Sequence, residues 1–211
     1  MSYSVKEIFK TLQGEGFHSG RAAVFCRFSG CNLWNGLEKD RLTSDCKFCD
    51  TDFIGTNGVN GGKFKNVDLL VHSISKEWGC ENYEDRYVVL TGGEPLLQVD
   101  VELIDALHNA GFFIAIETNG TIIPPDGIDW ICVSPKVSRD IILKYGNELK
   151  VVYPQSNMNI DSLLSMNFEH FFLQPLDDAN IKENTRLSVE YCITHPKWHL
   201  SLQTHKYIGI P

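Results

Sequence analysis

Seven cysteines lie in this 211-residue chain, and three of them fall close together. Cys31 is followed by fourteen residues and then by Cys46-Lys47-Phe48-Cys49. A two-residue gap lets one turn aim both thiolates at a single metal centre. Just before Cys31, the small residues Ser29 and Gly30 allow the backbone to turn sharply toward a cofactor. Three kinds of chemistry fit. A structural zinc site wants four protein ligands, and only three cysteines cluster; His18 or Cys26 would have to be the fourth, at no familiar spacing. A thioredoxin-type pair leads directly into a helix, whereas Asp50-Thr51-Asp52-Phe53-Ile54-Gly55 starts a helix poorly. A four-iron cluster on three cysteines leaves one iron open. Reductive cleavage of S-adenosylmethionine requires such an iron, because the cofactor's amino and carboxylate groups chelate it.

A second motif, Thr91-Gly92-Gly93-Glu94-Pro95, follows the strand-like run Tyr87–Leu90. Paired glycines at a strand end permit close approach to a ligand, and free N–H and C=O groups there suit an amino-acid-like cofactor. Gly-Gly-Glu-Pro is equally good chemistry for a plain turn. With the cysteines on a neighbouring strand end, both features can face one pocket.

The elements that must position these residues are short β-branched and aromatic runs bounded by Gly, Pro, Asn or Asp. They are residues 22–28, 86–90, 112–116, 130–133, 149–152 and 171–173, with 200–202 as a possible last strand. Several lack polar alternation, as in a parallel sheet covered on both faces. Helices fit between some of them. Val67, Leu70, Val71, Ile74 and Trp78 share a face after Asn66, and Leu103, Ile104 and Leu107 do so between Asp100 and Gly111. A later helix carries Leu187, Val189 and Tyr191 and ends at Pro196. The connection from Glu117 to Trp130 is too short for a full helix. The expected fold is therefore α/β: an incomplete, open (β/α) barrel with a parallel sheet, some helices being shortened or replaced by loops. One domain spans 1–211, with an aperiodic loop at about 29–62; a loop that long in a compact domain is usually functional or disordered.

The net charge of −8 argues against a nucleic-acid-binding surface, which would need an excess of Lys and Arg. With no apolar leader and no apolar run of about 18 residues, a cytoplasmic chain without a membrane span is expected. The odd cysteine count in a reducing compartment points away from disulfides. Cys26, Cys80, Cys132 and Cys192 read as small buried hydrophobes.

The cysteine triad followed by Gly-Gly-Glu-Pro resembles the radical S-adenosylmethionine superfamily. The fourteen-residue gap departs from the usual superfamily spacing of three and is similar to a variant within the 7-carboxy-7-deazaguanine synthase family. Segments 9–16, 24–28, 31–34, 49–52, 116–120, 133–136, 147–150 and 203–206 carry the same resemblance, which runs from about residue 5 to the C-terminus. It implies ring contraction of 6-carboxy-5,6,7,8-tetrahydropterin to 7-carboxy-7-deazaguanine with loss of ammonia, on the way to queuosine and other 7-deazapurines. A 5′-deoxyadenosyl radical would remove a hydrogen from the pterin and later return it. The cofactors implied are a [4Fe-4S] cluster, S-adenosylmethionine and Mg2+. The partners implied are the pterin, an external electron donor such as flavodoxin and a second copy in a homodimer.

Residue by residue, the resemblance makes Cys31, Cys46 and Cys49 the cluster ligands and Thr51 a magnesium ligand. It assigns Phe48, Asp50, Gly93, Ser134, Pro135, Lys136, Gln174, Pro175, Leu176 and Asp177 to S-adenosylmethionine. Leu12, Gln13, Gly14, Glu15, Arg27, Thr91, His205 and Pro211 would meet substrate, with about 203–211 completing the pocket. Arg27 would pair with the substrate carboxylate; Glu15 and the Pro211 carboxylate suit its donor edge. Another radical enzyme, such as a glycyl-radical activase, would not need this pocket. A non-catalytic zinc-binding protein is the alternative of a different class.

Overall fold

The computed structural model describes residues 2–79, 83–136, 140–156 and 158–211. The strands among them are β1 (Tyr3–Leu12), β2 (Ala22–Phe28), β3 (Gly62–Phe64), β4 (Tyr87–Gly92), β5 (Phe113–Thr118), β6 (Trp130–Val133), β7 (Tyr145–Tyr153), β8 (Asn167–Pro175) and β9 (Trp198–Leu200). They form one sheet in the order β3-β1-β2-β4-β5-β6-β7-β8-β9. From β2 through β9 each neighbouring pair is parallel. β1 runs antiparallel to β2, and β3 antiparallel to β1. The order begins at β3 and ends at β9 without closing, so the barrel is open as expected, with an antiparallel edge added.

That edge was not evident in the sequence. β1 buries Tyr3 and Val5 and then Ile8, because a register shift between Val5 and Glu7 breaks the alternation. A bulge of this kind erases the period-of-two signal by which a strand is recognised. The other strands fall where anticipated, with β7 and β8 longer and β9 two residues early.

The helices are α1 (Val67–Trp78), α2 (Val101–Asn109), α3 (Ile160–Leu163), α4 (Ile181–Thr194) and α5 (Thr204–Ile208). Asn66 and Asp100 cap the first two, accepting from the amides of Leu69 and Leu103 at 3.1 and 3.0 Å. Leu70, Ile74, Leu103 and Leu107 pack on the outward residues Val24, Cys26, Val88, Leu90, Ile114 and Ile116. A second core gathers Leu149, Val151, Leu173 and Trp198. No helix bridges Glu117 to Trp130, and α4 stops before Pro196, both as expected. Among the described residues no helix is long and apolar enough to cross a membrane.

Cys26 and Cys132 are buried and Cys192 is partly so. Burial raises all three thiols above their ordinary range. Cys80 lies outside the described residues.

Candidate active site

Alternation along the strands gives the sheet an apolar outer face and a polar inner one. Arg27, Thr91, Glu117, Lys150 and Gln174, from five different strands, all line the interior. Two open cavities meet there. They share Glu15, Asp50, Thr51, Thr91, Glu117 and Gln203, so together they form one continuous site.

The first cavity holds the cysteines. Cys31, Cys46 and Cys49 all line it, on a bed of Leu33, Trp34 and Phe53. A hydrogen bond between the thiols of Cys46 and Cys49 lowers Cys46 to about 6 and raises Cys49. Lys136 nearby also favours the Cys46 thiolate, the form that binds metal. Burial raises Cys31. Among the described residues no group of three or more His, Cys, Asp and Glu side chains is placed to hold a single metal ion. His18, considered as a fourth ligand, instead packs against Trp130 and Tyr87, and Cys26 faces the apolar core.

The fourteen-residue insertion packs beside the cysteines. Glu38–Thr43 form a 3-10 turn. From it Arg41 lies 3.9 Å from the Trp34 ring centroid and donates to the Cys49 carbonyl at 3.0 Å.

The Gly-Gly-Glu-Pro strand end has a tighter job than ligand approach. A Cβ on Gly93 would stand 2.2 Å from the Gly30 carbonyl oxygen and 2.7 Å from Cys31 Cβ. The glycine lets β4 lie against the start of the cysteine loop. The amides of Gly93 and Glu94 are not free: they donate to the carbonyls of Phe28 and Gly30 at 3.4 and 2.9 Å. Glu94, fully buried, accepts from the Leu96 and Asn119 amides and the Thr118 hydroxyl at 3.0, 2.8 and 2.8 Å. Asn119 then donates to Asn32, one residue beyond Cys31. A single buried carboxylate thus ties β4, β5 and the cysteine loop together.

Phe48, Asp50, Gly93, Ser134, Lys136, Gln174, Pro175, Leu176 and Asp177 all line the first cavity. Pro135 is buried between Ser134 and Lys136 and lines neither cavity. Lys136 Nζ donates to the Ser134 carbonyl and hydroxyl, both at 2.9 Å. Thr51 lines both cavities.

Leu12, Gln13, Gly14, Glu15, Arg27, Thr91, His205 and Pro211 line the second cavity. Arg27 Nε donates to Glu7 at 2.8 Å. The C-terminal segment docks across the mouth. Thr204 donates through its amide and hydroxyl to the Gly14 carbonyl, each at 2.9 Å, and Thr11 donates to the Pro211 carbonyl at 2.9 Å. Gly14 makes room for the His205 ring, whose Nδ1 would lie 2.1 Å from a Cβ there. Lys206 binds Asp50 at 3.0 Å and also Asp177, joining the segment to both sides of the first cavity.

Reading the sequence gave no site role to Lys150 or Glu117 and no bracing role to Glu94, and it reached Gln203 only as part of the segment 203–211. The available signal was a charged residue inside an otherwise apolar strand, as in Leu149-Lys150-Val151-Val152 and Ile114-Ala115-Ile116-Glu117.

The chain is similar to known proteins over its whole length. The model of the radical SAM superfamily matches residues 43–145, beginning inside the insertion and taking in Cys46, Cys49 and the glycine motif. The 7-carboxy-7-deazaguanine synthase of Bordetella pertussis is 59% identical over 211 residues, and that of Bradyrhizobium diazoefficiens 58% over 210; each alignment covers 100% of both chains. The crystal structure of QueE from Escherichia coli superposes with a TM-score of 0.74 at 30% identity, covering 97% of this chain and 95% of that one. The chain belongs to the 7-carboxy-7-deazaguanine synthase family of radical S-adenosylmethionine enzymes.

Proposed function

We propose that this protein converts 6-carboxy-5,6,7,8-tetrahydropterin to 7-carboxy-7-deazaguanine, and that a single domain, 1–211, carries the whole site. The observation behind this reading is the junction of the two cavities: a three-cysteine chamber opens directly onto one with Arg27 on its wall and Glu15 and Glu117 in its floor. The donor set fits a [4Fe-4S] cluster: three thiolates on one apolar bed, one of them already favoured by its neighbour and by Lys136. Cys31, Cys46 and Cys49 would hold it; when bound with S-adenosylmethionine it supplies the radical that begins the ring contraction.

The chain's own residues do the rest. Ser134, Lys136, Gln174 and Asp177 would orient the S-adenosylmethionine, flanked by Phe48, Asp50, Gly93, Pro135, Pro175 and Leu176. Arg27 would pair with the substrate carboxylate, a charge-assisted contact. Leu12, Gln13, Gly14, Glu15, Thr91, His205 and Pro211 would form the wall around the pterin. Thr51, at the junction, would share a Mg2+ with the substrate; one hydroxyl is a weak site, so substrate and water must supply the other ligands. The segment 203–211, docked on Gly14 and Thr11, would complete the pocket wall. An external electron donor, a cytoplasmic location and a homodimer complete the reading.

The test is anaerobic reconstitution with iron and sulfide, then incubation with reductant, S-adenosylmethionine and the carboxypterin. Product of the mass of 7-carboxy-7-deazaguanine is expected. Cleavage of S-adenosylmethionine with no product from the pterin overturns the substrate assignment; one zinc and no acid-labile sulfide overturns the class. Arg27→Gln should raise KM for the carboxypterin by about 10- to 100-fold, the equivalent of a lost charged hydrogen bond. An unchanged KM removes Arg27 from the substrate contacts.

A further inference from the structure

At the floor shared by the two cavities, Lys150 is buried, its side chain only 3% exposed. Its ammonium donates to Glu15 at 2.7 Å and to Glu117 at 2.8 Å. Three amides complete the group. Gln174 and Gln203 donate to the other Glu15 oxygen at 3.0 and 2.9 Å, and Gln13 donates to Glu117 at 3.1 Å. The group draws on β5, β7, β8, the loop after β1 and the segment before α5. A buried lysine is costly unless fully paired, so so well-paired a cluster beneath an open pocket calls for a role.

Counting acceptors suggests one. Two ionised carboxylates offer roughly eight lone-pair sites. The five donations above occupy five of them. About three acceptor sites remain, on two groups that both line the second cavity. One cation against two carboxylates also leaves the floor with a net negative charge.

We propose that Lys150 is a positioning residue: it keeps Glu15 and Glu117 both ionised and fixed in place, so that together they accept from a ring edge rich in N–H donors, such as a cyclic guanidine. This deepens, and rests on, the pterin assignment made above. Two carboxylates this near one another repel, and without an intervening cation one of them takes up a proton. A protonated carboxyl would present a donor where the ligand needs an acceptor. The three glutamines aim the oxygens but cannot supply the charge; Lys150 can. The other titratable groups facing the cluster are Cys132 and Glu148 beside Lys150 and His205 beside Glu15. Burial raises both the Cys132 thiol and the Glu148 carboxyl, which favours their neutral forms. The carboxylates hydrogen-bonded to Lys150 are Glu15 and Glu117.

The experiment compares the reconstituted holoenzyme with its Lys150→Met and Lys150→Met/Glu117→Gln variants between about pH 6 and pH 8. Infrared spectroscopy without substrate reads the protonated-carboxyl band; steady-state kinetics reads KM for the carboxypterin. Lys150→Met should gain a protonated carboxyl, and its KM should rise about tenfold or more as pH falls, while the wild type stays flat. The double variant removes the like charge and leaves only burial to raise Glu15, so the extra band and the pH dependence should both be smaller than in the single variant. A lysine that merely fills space would not show that rescue. A single variant with no new band and a flat KM overturns the proposal. If the single variant fails to fold and the double variant folds, the charge-balance role is supported; if neither folds, Lys150 is structural and the proposal falls. The infrared contrast needs no turnover, so it can hold even if the carboxypterin proves to be the wrong substrate.

Discussion

Replacing Gly93 with alanine tests whether the glycine motif serves the cysteine loop. The new Cβ would lie 2.2 Å from the Gly30 carbonyl oxygen, so the two segments must separate by roughly 1 Å to reach ordinary contact. Little can give way. Gly30 is held by the Glu94 amide at 2.9 Å, and the next residue is Cys31. Overpacking of this kind costs about 1–3 kcal/mol. In a chain of this length that lowers Tm by about 2–12 °C. The sharper effect is on Cys31, since misplacing a reacting group by about 1 Å costs on the order of 10²-fold in rate. Iron and sulfide content after anaerobic reconstitution should fall, and S-adenosylmethionine cleavage with it. Gly30→Ala is the control. Its φ is +90°, but nothing lies within 4 Å of the added Cβ. It should lose about 1–2 kcal/mol to left-handed backbone strain and still retain its cluster. If Gly93→Ala keeps full iron content and cleaves S-adenosylmethionine at the wild-type rate, β4 does not position Cys31 and the reasoning fails.

Glu94→Ala removes the acceptor for three buried donors and should cost about 2–4 kcal/mol in urea unfolding; a loss below 1 kcal/mol would show that water or another group takes its place. Burial alone would raise the Glu15 carboxyl, but Lys150 overrides it and brings Glu15 from 4.5 to about 2. The ionised pair therefore stabilises the fold fully above about pH 5, and this contribution disappears as pH falls toward 2. The stability gap between wild type and Glu15→Gln should accordingly narrow on acidification, and a gap that widens below pH 5 contradicts the pairing. A peptide tag appended after Pro211 would begin on the wall of the second cavity, so it should lower turnover more than an N-terminal tag does; equal rates would count against a role for 203–211.

Most of the local signals for the parallel part of the sheet were legible in the sequence. Six strand runs, the caps at Asn66 and Asp100 and the end of α4 before Pro196 follow from residue type and spacing, which act over a few residues. Cys46 and Cys49 announce a metal centre for the same reason: their geometry is set within one turn. What no local pattern contains is the meeting of distant residues. Lys150 reads as one charge in an apolar strand, and only the assembled sheet turns it inward between Glu15 and Glu117, 135 and 33 residues away along the chain. Gly93 looks like a turn residue until parallel pairing of β2 with β4 brings it against Cys31. The strand β1 was hidden because its bulge cancels the alternation that sequence reading relies on. Chemistry confined to one turn is written in the order of residues; chemistry that needs five strand ends in register comes only with the curved sheet that aligns them.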